Sequence, residues 1–255
     1  MIKKLLIIPL LFFMYAFSPA QLMMHNDGEV PGGGGPAATI EIEDSGYSDE
    51  NTTDTTNEVS GITVGATSNN LLVAVVMWDN DNEESITSVV WDAAGNNESF
   101  TEIATGYENN DDAAVHMFYL INPTAAADKI VTTTWDGDLP FGSSVMVFLL
   151  SGVAQADPVR DYDGGNATLA DTLTASLTGL NSGDFIVAGS AIEGNKTADW
   201  TGSSFSTTES SEENDAYGSY STAYGLSTGS TASAVVLWSG AVNHIAIMAA
   251  GFKPS

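Results

Sequence analysis

The sequence predicts an all-β fold, an antiparallel two-sheet β-sandwich of jelly-roll or concanavalin-like form. Three observations carry this. Short runs rich in β-branched and aromatic residues recur along the chain; Gly, Asn, Asp and Ser punctuate the gaps; no stretch shows the 3.6-residue apolar period of an amphipathic helix.

In order, strands are expected over 39–43, 61–65, 71–78, 87–91, 99–104, 113–121, 130–135, 144–150, 172–177, 185–192, 205–208, 218–223, 234–238 and 243–252. Between them lie turn signals such as Asn69-Asn70, Ala94-Gly95-Asn96-Asn97, Asp136-Gly137-Asp138, Gly164-Gly165-Asn166 and Asn181-Ser182-Gly183-Asp184. So many short strands suit a jelly roll better than a seven-stranded immunoglobulin domain. Two smaller sandwiches meeting near 157–166 are the alternative.

Three runs break the alternation of a half-wet sheet: 71–78 and 145–150 are apolar throughout, and 245–250 repeats the pattern with smaller residues. Such strands are central and covered on both faces. The cover is expected from within the chain, from a loop or the N-terminal segment. Another molecule is the alternative, which keeps self-assembly open.

Residues 1–20 read as a secretory signal. Lys3 and Lys4 give a positive start, 5–17 is apolar apart from Pro9, and Ser18-Pro19-Ala20 offers small residues for cleavage. A retained anchor is the alternative, but the run is short against the ~20 residues of a bilayer span. Residues 21–37 form a Gly/Pro-rich linker, ending in Pro31-Gly32-Gly33-Gly34-Gly35-Pro36, and 38–255 form the β-sandwich domain. The expected location is extracellular or at the cell surface, with the periplasm open and no membrane insertion after cleavage.

The formal net charge is −27, from 33 acids against six cations. Lys3 and Lys4 lie in the leader, so Lys129, Arg160, Lys196 and Lys253 are the cations of the folded part. Four scattered cations build no basic patch, which excludes nucleic acid as a partner. The acid excess serves solubility, or clusters of carboxylates that hold divalent cations. With no Cys in the chain, disulfides are excluded and the core alone must hold the fold.

The succession Asn69-Asn70-Leu71-Leu72-Val73, Ile86-Thr87-Ser88-Val89-Val90-Trp91, Tyr119-Leu120-Ile121-Asn122-Pro123, Leu150-Ser151-Gly152-Val153 with Asp157-Pro158-Val159, and Ser182-Gly183-Asp184-Phe185-Ile186-Val187 resembles a β-sandwich module of secreted bacterial and phage-associated surface proteins. The likeness spans roughly 58–252. It rests on strand starts and turns, so it implies a fold and carries no catalytic set.

No motif for catalysis stands. Gly225-Leu226-Ser227-Thr228-Gly229 has the hydrolase spacing, yet no helix follows to make the strained elbow. His25, His116 and His244 lack zinc-site spacing, and His116, in an apolar strand, reads as a satisfied sheet-face residue. Asp79-Asn80-Asp81-Asn82-Glu83-Glu84 fails the EF-hand pattern at its sixth and twelfth positions. It also lacks the alternation that would aim paired carboxylates into a glycosidase cleft.

Calcium is the expected cofactor, if any. Its candidate ligands are Asp79, Asp81 and Glu83 in one loop, 109–112 in another, and above all Asp161 and Asp163, where Gly164-Gly165 would allow a tight wrap. Trp200 with Tyr217, Tyr220 and Tyr224 is the candidate platform for a glycan. The sequence therefore points to a non-catalytic surface protein, structural or adhesive, that self-associates or meets an extracellular glycan. A carbohydrate-binding module and a glycoside-hydrolase-like enzyme are the alternatives.

Overall fold

The computed structural model describes residues 39–50, 55–79, 85–109, 113–137, 142–205, 208–214 and 218–255, without the side chains of 49–50, 79, 208–214 and 241–242. The expected leader, the linker, Asp81, Glu83 and Tyr217 lie outside the described residues.

The described chain is all β. Its strands are β1 (Glu41–Glu50), β2 (Thr56–Val64), β3 (Leu71–Asp79), β4 (Ile86–Trp91), β5 (Glu98–Ser99), β6 (Thr101–Glu102), β7 (Tyr107–Asn109), β8 (Ala113–Ile121) and β9 (Ala126–Trp135). There follow β10 (Gly142–Ser151), β11 (Val159–Leu177), β12 (Phe185–Glu193), β13 (Ala198–Asp199), β14 (Thr208–Asn214), β15 (Gly218–Leu226) and β16 (Ala232–Phe252).

All pairings are antiparallel, and they make three sheets where two were expected. A central sheet runs β1-β10-β3-β8-β6, with β7 also on β8. An outer sheet runs β2-β9-β4-β5. The third runs β11-β16-β12-β15-β14, with β13 on β16, and coils almost into a barrel. Its long strands make the coil: residues 172–177 of β11 pair with 232–237 of β16, while 245–252 of β16 pair with both β11 and β12. Between the halves of β16 sits Gly240 at φ 101°, a left-handed conformation that glycine adopts without strain.

The sheets stack because the apolar strands have two faces to bury. On β3, Leu71, Val73, Val75 and Met77 enter a core shared with the coiled sheet. The alternate residues Leu72, Ala74, Val76 and Trp78 enter a core shared with the outer sheet. Met146, Phe148 and Leu150 of β10 part from Val145, Val147 and Leu149 in the same way. On β16, Ala246, Met248 and Ala250 face the central sheet, and Ile245, Ile247 and Ala249 line a third core inside the coil. Cover of the doubly apolar strands thus comes from within the chain, by whole sheets rather than a loop.

Residues 157–166 are no boundary between sandwiches. Val159 onwards is the first half of β11, paired along β16. Gly164 is not a turn residue either: a Cβ there would lie 2.4 Å from both the Ile247 carbonyl oxygen and the Tyr107 ring. Glycine is present for close approach. The runs expected as two strands, 234–238 and 243–252, are the single β16.

Gly189 of β12 reports on the contact between central and coiled sheets, since a Cβ there would lie 2.4 Å from Val75 Cγ1. Gly189→Ala is expected to cost about 1–3 kcal/mol by overpacking. Val75→Ala in the same chain should return part of the loss. Denaturant melts of the three variants check this, and a neutral Gly189→Ala would contradict the packing described.

Candidate functional site

Asp161 and Asp163 lie in strand β11, which corrects the loop expected there. Asp161 Oδ2 accepts the Thr178 N–H at 2.6 Å and the Thr178 hydroxyl at 3.2 Å, and Asp163 Oδ2 accepts the Ser176 N–H at 2.6 Å. Both carboxylates therefore tie the start of β11 to its far end as the strand curls back. Asp79 closes β3, with its side chain outside the described part. Asn109, first of the 109–112 stretch, donates from Nδ2 to the Ala167 carbonyl, and 110–112 lie outside the described residues. Among the described residues, no group of three or more His, Asp or Glu is disposed to hold a metal ion.

The candidate aromatic platform is not exposed. Trp200 is 1 % exposed and donates from Nε1 to Ser221 Oγ at 2.9 Å. Tyr220 is equally buried, and Tyr224 packs on Phe148 and Phe185, with ring centroids 5.6 and 5.8 Å away. The reason is the place of β15 inside the coiled sheet, between β12 and β14. Its residues alternate between two cores, so the polar–apolar rhythm of 217–224 marks no wet face. The serines are satisfied inside: Ser219 Oγ accepts the Lys196 N–H and donates to the Gly194 carbonyl, both at 2.8 Å.

Two constellations emerge that the sequence did not assemble. The first is centred on His116 in β8. Its Nδ1 lies 2.7 Å from Glu102 Oε1 and its Nε2 lies 3.0 Å from Glu108 Oε1. The ring packs on Trp78 at 4.8 Å and stacks near Phe118 at 6.3 Å. Acceptors at both nitrogens suit a ring that carries both protons. Gly106 lies against it, for a Cβ there would be 2.0 Å from His116 Cδ2. The bond from His116 holds the Glu108 carboxyl below the usual carboxylate range, against the opposing effect of burial. Both ring nitrogens are engaged, so His116 clamps β6 and β7 to β8. This agrees with the satisfied sheet-face residue expected.

The second is a hollow of about 310 Å³ against the outer sheet, bounded by Glu58, Asp92, Asp128, Lys129, Ile130 and Thr132. Asp92 is buried, at φ 49°. One of its oxygens meets Lys129 Nζ at 3.2 Å, and the other accepts the Asn96 N–H and amide, each at 3.1 Å. The Asn96 N–H and then Lys129 hold its carboxyl below the ordinary value, with burial opposing. Glu58 and Asp128 remain on the rim, both exposed, giving it a negative character. The scarcity of cations was the sequence signal for this pair. Lys129 meets Asp92, Lys253 meets Asp157 at 2.6 Å, and Arg160 meets the fully buried Asp184.

The His116 clamp gives a pH signature. A carboxyl lowered on folding stabilises above its unfolded value, about 4.3 for Glu, and that contribution fades as pH falls through the folded value. His116→Phe keeps a ring on Trp78 but loses both bonds. It should melt below the parent at pH 6–7, with the gap closing as pH falls below about 4. Thermal melts across that range check this; a gap independent of pH would contradict the clamp.

No family model, no curated protein and no solved structure matches the chain. The residues support an all-β antiparallel multi-sheet protein.

Proposed function

We propose that this chain is an exported, non-catalytic surface protein with a structural or adhesive role. One observation carries the reading: the described ionisable groups best placed for chemistry serve the fold. Asp161 and Asp163 accept backbone N–H groups, Asp92 and Asp184 neutralise scarce cations, and His116 binds two glutamates. The signal-like N-terminus supports export, and the acid excess supports a surface kept in water.

Where such a protein assembles, β1 is the strand that would be exchanged. It is the first strand, it lies at an edge of the central sheet beside β10, and it follows Ile40, which is seated in the core. Edge strands are also the elements that add to a neighbour's sheet.

Light scattering on residues 21–255, in chelator and then in calcium, measures the state directly. A defined assembly supports the structural subunit, and dependence on calcium would bring the acidic loops into its control. Glu43→Cys with Ser151→Cys then reports where β1 sits, because these side chains touch at 2.6 Å and the chain has no other cysteine. Disulfides between chains are expected in an assembly that exchanges β1. Disulfides within chains, with a monomeric mass in both solutions, would overturn exchange and leave the adhesive role. Turnover in a screen of glycan substrates would overturn the non-catalytic reading altogether.

A further inference from the structure

We infer that an ordered internal water molecule joins the central and outer sheets at one end of their shared core, bound by Asn57, Thr133, Trp78 and Trp135. Asn57, Thr133 and Trp78 are fully buried, and Trp135 is 3 % exposed. Each keeps one polar atom without a hydrogen-bond partner among the described residues: Asn57 Oδ1, Thr133 Oγ1, and the Nε1 of both tryptophans. The other three indoles all have acceptors. Trp91 donates to the Thr124 carbonyl at 3.3 Å, Trp200 to Ser221 and Trp238 to Ser190 Oγ at 3.2 Å.

The four orphans are neighbours. Asn57 faces Thr133 across the β2–β9 ladder, and Trp135 lies two residues along β9 on the same buried face. The Trp78 ring stands edge-on to that of Trp135, with centroids 4.8 Å apart. The circle closes through Ser143, whose Oγ accepts from Asn57 Nδ2 at 3.1 Å and which is the register partner of Trp78.

The chemistry selects the ligand. Two of the orphans are N–H donors and two are oxygens. A single water can accept from both indoles and donate to both oxygens, the full complement of its four bonds. An apolar guest would leave every one of them unpaired, at about 1–3 kcal/mol per buried group. The charged side chain packed against this cluster, His116 on the Trp78 ring, is committed to Glu102 and Glu108 and has no counter-charge to spare for an ion. An N–H aimed at the neighbouring ring is a second-order contact, and it would serve one indole at most.

The test uses full-length protein with ¹⁵N-labelled tryptophan. Magnetisation transfer from water should reach two of the five indole N–H groups, and Trp78→Phe and Trp135→Phe should each remove one of those signals. Thr133→Val keeps the shape and removes the hydroxyl. It should lower the melting midpoint by about 2–4 °C, because a water partner is lost. Absence of a water signal from both indoles would overturn the site. So would a midpoint that rises with Thr133→Val, as expected when an unpaired hydroxyl is replaced in a dry core.

Discussion

A strand that is apolar at every position has to be covered twice, and this chain contains several. Once β3 and β10 lie side by side in the central sheet, each of that sheet's faces needs its own partner. The outer sheet takes one face and the coiled sheet takes the other. The same demand then recurs one layer out. β12 gives Phe185 and Val187 to the central sheet, leaving Ile186, Ala188 and Ile192 on its far side. No further sheet is supplied, so the third one curls and buries that side against its own strands, with Trp200, Phe205 and Trp238 filling the interior. Stacking and near-closure are thus answers to one requirement.

Without cysteines, specificity has to come from packing and from buried polar pairs. The small-residue interior of the coil depends on both. Ser190 Oγ donates to the Ala246 carbonyl at 2.8 Å and accepts from Trp238, so one hydroxyl links two strands to an indole. Acidic residues do different work outside. β1, at an edge of the central sheet, carries Glu41, Glu43 and Asp44 in its sequence, and β14, at an edge of the coiled sheet, reads TESSEEN. Like charges along exposed edges oppose unwanted pairing between sheets. Any assembly through an edge must meet that repulsion, which is where pH or a divalent cation would act.

Much of this was legible in the sequence, and the failures have physical causes. β8 begins at Ala113 and ends at Ile121, as the β-branched and aromatic run indicated. The double cover of 71–78 was implied by the missing alternation, but periodicity cannot count sheets. The start of β11 was misread because Asp161-Tyr162-Asp163-Gly164-Gly165-Asn166 has turn composition, whereas its glycine answers a close approach. Trp200, Tyr220 and Tyr224 were misread for the converse reason: an alternating strand between two cores looks like one with a wet face. Nothing in the sequence joins His116 to Glu102 and Glu108, because that set depends on how two short edge strands fold over β8. The leader and linker lie outside the described residues, so their reading stands on sequence alone.

The central claim is that the two faces of the central sheet are buried by the other two sheets as one cooperative structure. Native-state hydrogen exchange through rising denaturant tests it strand by strand. If the claim holds, the amides of β3, β8 and β10 open with the same free energy as those of β12 and residues 245–252 of β16, at the value for global unfolding. The contradicting result is a coiled sheet that opens on its own at clearly lower free energy while β3 and β10 stay protected. The central sheet would then not depend on the cover that its apolar strands require.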